Sequence, residues 1–132
     1  MKESLKKQAD KLIFLVILLL GLLDFWWQGV FRDGGFGVEN RGVSFGALQG
    51  ISGVSLVVIW TLLLLVLIRS TRKSLWHGLP AWLMVVGGAV NLMGRIKFGG
   101  VWDYLRVPGI NLWFNISDMM IVGGLGAFIF RK

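Results

Sequence analysis

The sequence predicts an all-α membrane protein of four transmembrane helices, and three observations carry that reading. The chain of 132 residues is 55% hydrophobic, with a mean hydropathy of +0.72. Its apolar residues form four long blocks rather than the scattered pattern of a soluble core, and short charged stretches separate the blocks. Each block approaches the roughly 20 residues that a helix needs to cross hydrocarbon, so four of them leave no room for a separate soluble domain. The strict alternation of barrel strands is missing, and backbone polarity in lipid then requires helices.

As one domain, residues 1–132, the chain divides into spans over approximately 12–31, 47–68, 75–95 and 111–130. The first span follows Lys2, Lys6, Lys7 and Lys11 as a signal peptide would. It is too long for one, however, and has no small-x-small cleavage pattern near Trp26 and Trp27, so it reads as a retained helix. Of the 14 basic residues, nine lie at the termini and in the turn of Arg69, Arg72 and Lys73, against five (Arg32, Arg41, Arg95, Lys97, Arg106) in the other two connections. That bias predicts both termini in the cytoplasm. The net charge of +7 therefore reads as a set of topology anchors, and no nucleic-acid partner is expected.

With no cysteine, disulfides, thiol nucleophiles and thiolate metal sites are excluded. His77, the only histidine, falls near the cytoplasmic start of the third span, so neither a metal nor a cofactor is expected. Trp76 and Trp113 read as interfacial anchors, and Trp60 as packing. Gly87, Gly88, Gly123, Gly124 and Gly126 would permit close helix approach. The two outer connections are more than minimal turns. Residues 32–46 hold five glycines and predict a short extracytoplasmic segment of β-like character between helices 1 and 2. Residues 96–110 hold Gly99, Gly100, Pro108 and Gly109 and predict a loop or short helix between helices 3 and 4.

At 1.5 Å rise per residue, Asp24, Asn91, Asn115 and Asp118 fall within roughly 10 Å of the outer surface, and Asp103 lies in the adjoining loop. Asn91 and Arg95 are spaced i,i+4, and Asn115 and Asp118 i,i+3, so each pair is expected to share a helix face. A carboxylate within a span costs a few kcal/mol, which marks Asp24 and Asp118 either as functional or as bonds between helices. If Asp103 and Asp118 approach closely, repulsion and desolvation let the pair hold one proton near neutrality. The ionised member can then take a proton from water while the other donates to a carbonyl oxygen, with no metal or covalent nucleophile.

The runs Gly87-Gly88-Ala89-Val90-Asn91-Leu92-Met93-Gly94-Arg95, Gly100-Val101-Trp102-Asp103-Tyr104 and Phe114-Asn115-Ile116-Ser117-Asp118 resemble the lipoprotein signal peptidase (signal peptidase II) family. Asn40-Arg41-Gly42-Val43-Ser44-Phe45-Gly46 resembles that family's Asn-x-Gly-Ala-Ala-Phe segment, and Asp24 its first-span acid. The resemblance covers residues 24 to 124 in order. It implies a membrane-embedded aspartyl endopeptidase that removes the signal peptide from diacylglyceryl-modified bacterial prolipoproteins at the outer face of the cytoplasmic (inner) membrane. Globomycin sensitivity and a monomer in contact with membrane lipid would be expected. Asp103 and Asp118 fall on the family's catalytic aspartates. Asn91, Arg95 and Asn115 fall on polar residues that orient the pair and contact substrate, and Asn40 and Gly42 on the segment beside the site.

Two departures bear on substrate fit, stability and rate. Gly94 stands where the family's Asn-x-x-Asp-Arg motif has its Asp, and Asp24-Phe25-Trp26-Trp27-Gln28 stands where the pattern is Asp-Gln-x-x-Lys. They also motivate a second reading, a catalytically impaired homologue that binds lipidated precursors. A third reading, a small proton-coupled exporter, follows from the intramembrane acid alone.

Overall fold

The computed structural model describes residues 2–42, 55, 58, 60–62, 64–65 and 78–130. Most of the expected second span, the turn of Arg69, Arg72 and Lys73, Trp76, His77, the opening of the third span and the last two residues lie outside the described residues. The seven described positions between 55 and 65 are helical.

Helix α1 runs over Lys2–Asp33, ten residues earlier than the apolar block alone suggests. Its basic start continues the helix because Lys7 and Glu3 pair at i,i+4, 3.4 Å apart on the solvent side. Along its length Ile17, Gly21, Asp24 and Gln28 are buried. That spacing of four, three and four is one helical stripe. Leu12, Leu19 and Trp26 on the other side are exposed, as suits a helix whose surroundings are lipid. Helix α2 covers Leu79–Phe98, with Pro80 in its first turn. It stops at Gly99, which takes a left-handed conformation (φ +79°) and donates its N–H to the Arg95 carbonyl. Both α1 and α2 are long and apolar enough to cross a membrane.

Helix α3 covers Ile116–Ile129, 14 residues that lie within the expected span of 111–130. Trp113 and Phe114 are extended, and the Asn115 side chain accepts the N–H of Asp118 while the Asp118 carboxylate accepts that of Asn115. This reciprocal cap fixes the helix start. Asn115 is therefore the residue before the helix rather than a member of its face.

The three helices meet at Ile17, Val86 and Met120, with Trp82, Leu83 and Ile116 packed around them. Contact is close because the chain puts glycine there: a Cβ on Gly87 would lie 2.6 Å from the Ser117 carbonyl oxygen, and one on Gly124 would lie 2.7 Å from that of Pro80. Gly88 lies beneath the Trp60 indole, whereas no described atom lies within 4 Å of a Cβ placed on Gly123 or Gly126. In lipid such backbone approach, rather than exclusion of water, holds helices together.

Two small antiparallel ladders cover the end at which α1 and α2 finish and α3 begins. Strand β1 (Val38–Asn40) pairs with β2 (Val101–Asp103), placing Val38 opposite Asp103 and Asn40 opposite Val101. Strand β3 (Leu105–Arg106) pairs with β4 (Trp113–Phe114). The loop or short helix expected here is thus strand and hairpin. Its turn runs through Val107-Pro108-Gly109-Ile110, closed by Ile110 N–H to the Val107 carbonyl at 3.4 Å, with Gly109 at φ +86°. Proline followed by a positive-φ glycine is the signature of a type II turn, which excludes a helix.

Candidate functional site

The helices converge on a polar cluster beneath β1 and β2. Alternation along β2 buries Val101 and Asp103 and turns Trp102 outward. Asn40, on the same face of β1, reaches diagonally to donate to one Asp103 oxygen at 3.0 Å. Asn115 donates to the other at 2.8 Å. The same Asn115 side chain accepts the Asp118 N–H at 2.9 Å. The Asn115 carboxamide thus joins the Asp103 carboxylate to the Asp118 backbone, and the Asn115 N–H donates to the Asp118 carboxylate at 3.3 Å. From α2, Asn91 donates to Asp118 at 2.7 Å. Arg95, one turn on, donates to the Asn91 carbonyl at 3.1 Å and to that of Gly42 at 2.6 Å. The Asn91 Oδ1 and Arg95 Nε atoms are buried without a hydrogen-bond partner among the described residues.

Asp103 is 2% exposed. Burial first and the Asp118 charge second push its carboxyl up to about 6, while hydrogen bonds from Asn40 and Asn115 and the Arg95 charge hold it back. The Asp118 charge and the Arg95 charge thus both act on the Asp103 carboxyl, in opposite directions.

Asp24 lies one layer behind. Its carboxylate accepts from Gln28 at 2.9 Å, the Tyr104 hydroxyl at 2.5 Å, the N–H groups of Ile116 at 3.2 Å and Ser117 at 3.1 Å, and the Ser117 hydroxyl. Two of these donors are the free N–H groups that open α3, where a negative charge is favoured. Five donors on two oxygens leave Asp24 saturated. It ties α1 to α3 and, through Tyr104, to the residue after Asp103. Tyr104 stacks on Phe31 with ring centres 4.7 Å apart, and burial together with its bond to Asp24 pushes its hydroxyl pKa up. Above the cluster, Arg32 joins the end of α1 to the sheet through Glu39 at 2.9 Å and the Gly100 carbonyl at 3.1 Å.

All eight residues singled out in the sequence (Asp24, Asn40, Gly42, Asn91, Arg95, Asp103, Asn115 and Asp118) fall in this cluster: the acids Asp103 and Asp118, five residues around them, and Asp24 behind. Three participants were not singled out: Gln28, Tyr104 and Ser117. Gln28 was legible, being i,i+4 from Asp24 on one face, but it counted only as a departure from the motif. The bonds of Tyr104 and Ser117 to a side chain some 80 to 93 residues away leave no local signal.

The profile of the signal peptidase (SPase) II family matches residues 35–132. The lipoprotein signal peptidase of Caldanaerobacter subterraneus subsp. tengcongensis is 36% identical over 91 residues, 66% of this chain and 61% of that protein. That of Halothermothrix orenii is 35% identical over 96 residues, 70% of this chain and 64% of that protein. The chain thus spans a little over three fifths of the length of these relatives. Among solved structures, a bacterial membrane enzyme determined by the in meso method at 2.3 Å resolution superposes with a TM-score of 0.72 over 92% of this chain and 85% of that one, at 19% identity. That likeness supports the fold. The family profile covers about three quarters of the chain, including the whole polar cluster except Asp24 and its α1 neighbours, and the chain belongs to the signal peptidase II family.

Proposed function

We propose that the protein is a membrane-embedded aspartyl endopeptidase that removes the signal peptide from diacylglyceryl-modified bacterial prolipoproteins, with Asp103 and Asp118 as its catalytic pair. The carrying observation is that Asn115 donates to both carboxylates, from its side chain to Asp103 and from its backbone N–H to Asp118, with Asp103 raised to about 6 by burial and by Asp118. A pair so placed holds one proton over a range in which isolated carboxylates are ionised.

The ionised carboxylate takes a proton from a water, whose oxygen attacks the scissile carbonyl carbon. The protonated carboxyl gives its proton to the carbonyl oxygen, forming a neutral gem-diol. In the second half, the carboxyl that gained the water's proton delivers it to the amide nitrogen as the C–N bond breaks. A gem-diol hydroxyl returns its proton to the other carboxylate, so the pair ends with one proton, as it began. Asn91 and Arg95 orient the acids, and their Oδ1 and Nε atoms, unpartnered among the described residues, would meet the substrate peptide. Asn40 and Gly42 frame the site from the outer segment.

The reading includes four crossings, cytoplasmic termini, a monomer in the cytoplasmic membrane, and a site at the extracytoplasmic rim. Acyl chains would remain in the bilayer while the peptide enters from the side. Reconstitution with a synthetic diacylglyceryl-modified precursor tests it. Release of the signal peptide is expected, falling by at least about 10³-fold in Asp103→Asn and Asp118→Asn. No turnover by the parent chain, or undiminished turnover by both variants, rejects it. Precursor binding without turnover would favour the impaired homologue.

A further inference from the structure

Position 94 faces position 28 across the α1–α2 contact. A Cβ on Gly94 would lie 3.6 Å from Gln28 Oε1, 3.5 Å from the Gly100 carbonyl oxygen and 3.7 Å from the Val101 Cα. These are ordinary contact distances, so there is room for a side chain. The two nearest atoms are hydrogen-bond acceptors, and a carboxylate there would face oxygen on both sides.

Gln28 is 3% exposed and uses both ends of its carboxamide. Its nitrogen donates to Asp24 at 2.9 Å, and its oxygen accepts the Trp102 backbone N–H at 3.3 Å. Trp102 is the residue before Asp103 in β2. Gln28 therefore connects the buried brace on Asp24 to the strand that carries a proposed catalytic acid, and sets where that strand lies over the bundle.

We infer that Gln28 is a positioning residue for Asp103, and that its single neutral carboxamide does the work of a cation at position 28 facing an anion at position 94. A lysine at 28 would still donate to Asp24 but could not accept from Trp102. An aspartate at 94 would supply that missing acceptor and receive the lysine's charge. The two departures noted in the sequence, Gln28 and Gly94, are then one coupled exchange rather than two independent losses. Either charge alone is a fault at this contact, and both together are not.

The catalytic arm of the test rests on the peptidase reading; the stability arm does not. With a synthetic diacylglyceryl-modified precursor in mixed micelles, Gln28→Lys and Gly94→Asp are each expected to lower kcat about tenfold or more with KM changed less than about threefold, whereas the double variant recovers to within about threefold of the parent. Gly94→Ala introduces bulk without charge and is expected to keep parental turnover. In thermal unfolding the same cycle is expected to show singles that melt several degrees lower and a double that regains most of the loss, whether or not the chain cleaves anything. Additive losses in the double variant, or a Gly94→Ala loss as large as that of Gly94→Asp, would overturn the coupling. Equal losses in kcat and in substrate affinity for Gln28→Lys would overturn its role in positioning Asp103.

Discussion

Asp24 and the Asp103–Asp118 pair lie at the same end of the helices, yet they are built for different purposes. Asp24 is fully buried and takes five hydrogen bonds from α1, α3 and Tyr104, which fix it as a joint. Asp103 is also buried, but receives two neutral amide donors and feels the charge of a second carboxylate, Asp118. Burial alone does not make an acid reactive; what separates the two is whether donors saturate the charge or leave it contested.

The largest stability effect should therefore fall on the brace. Asp24→Ala leaves the Ser117 hydroxyl, the Tyr104 hydroxyl and two helix-start N–H groups without their acceptor, and is expected to destabilise the protein by about 3–5 kcal/mol, measured by thermal unfolding in detergent. Asp103→Asn should lower the melting temperature far less than Asp24→Ala, because removal of the contested charge offsets the one amide donor, of Asn40 or Asn115, that loses its acceptor; a loss equal to that of Asp24→Ala would erase the distinction.

Asn115→Ala comes next. It deletes the α3 cap and a donor to Asp103 together, with an expected loss of about 1–2 kcal/mol and a fall in turnover beyond that accounted for by unfolding. Gly37→Ala is expected to cost about 1–3 kcal/mol, since Gly37 sits at φ +116° and its new Cβ would lie 2.5 Å from the Asp103 carbonyl oxygen. A neutral result would mean that β1 can shift away without disturbing β2.

The smallest effect is on pH dependence. With Asp103 raised to about 6, the singly protonated pair is lost as pH rises through that region, so turnover should fall on the alkaline side with a midpoint near 6. Asn40 stabilises the ionised form of Asp103, so Asn40→Ala is expected to move that limb upward by a fraction of a unit; a downward shift would show that the Asn40 bond does not act on the titrating carboxylate.

The described helices α1, α2 and α3 were legible because unbroken apolar blocks of this length have one economical structure. Their ends were less so. Trp113 and Phe114 extended the last apolar block, hiding the Asn115–Asp118 reciprocal cap that starts α3, although Asn-x-x-Asp before an apolar run is itself a helix-start signal. The β1–β2 ladder was out of reach, because each strand is three residues long and its partner is some 60 residues away. Depth along the spans was enough to gather Asp24, Asn91, Asn115 and Asp118 at one level, since rise per residue is fixed. Which acid is braced and which is contested depends on donors such as Tyr104 and Ser117 brought in by tertiary folding, and that was not readable.

Carbon-13 NMR of the Asp103 carboxyl across a pH titration, in the parent chain and in Asp118→Asn, tests the pairing most directly. The expected result is an apparent pKa near 6 that drops by at least about half a unit when the Asp118 charge is removed. An Asp103 that titrates in the ordinary carboxylate range, or one indifferent to Asp118, would contradict the shared-proton pair.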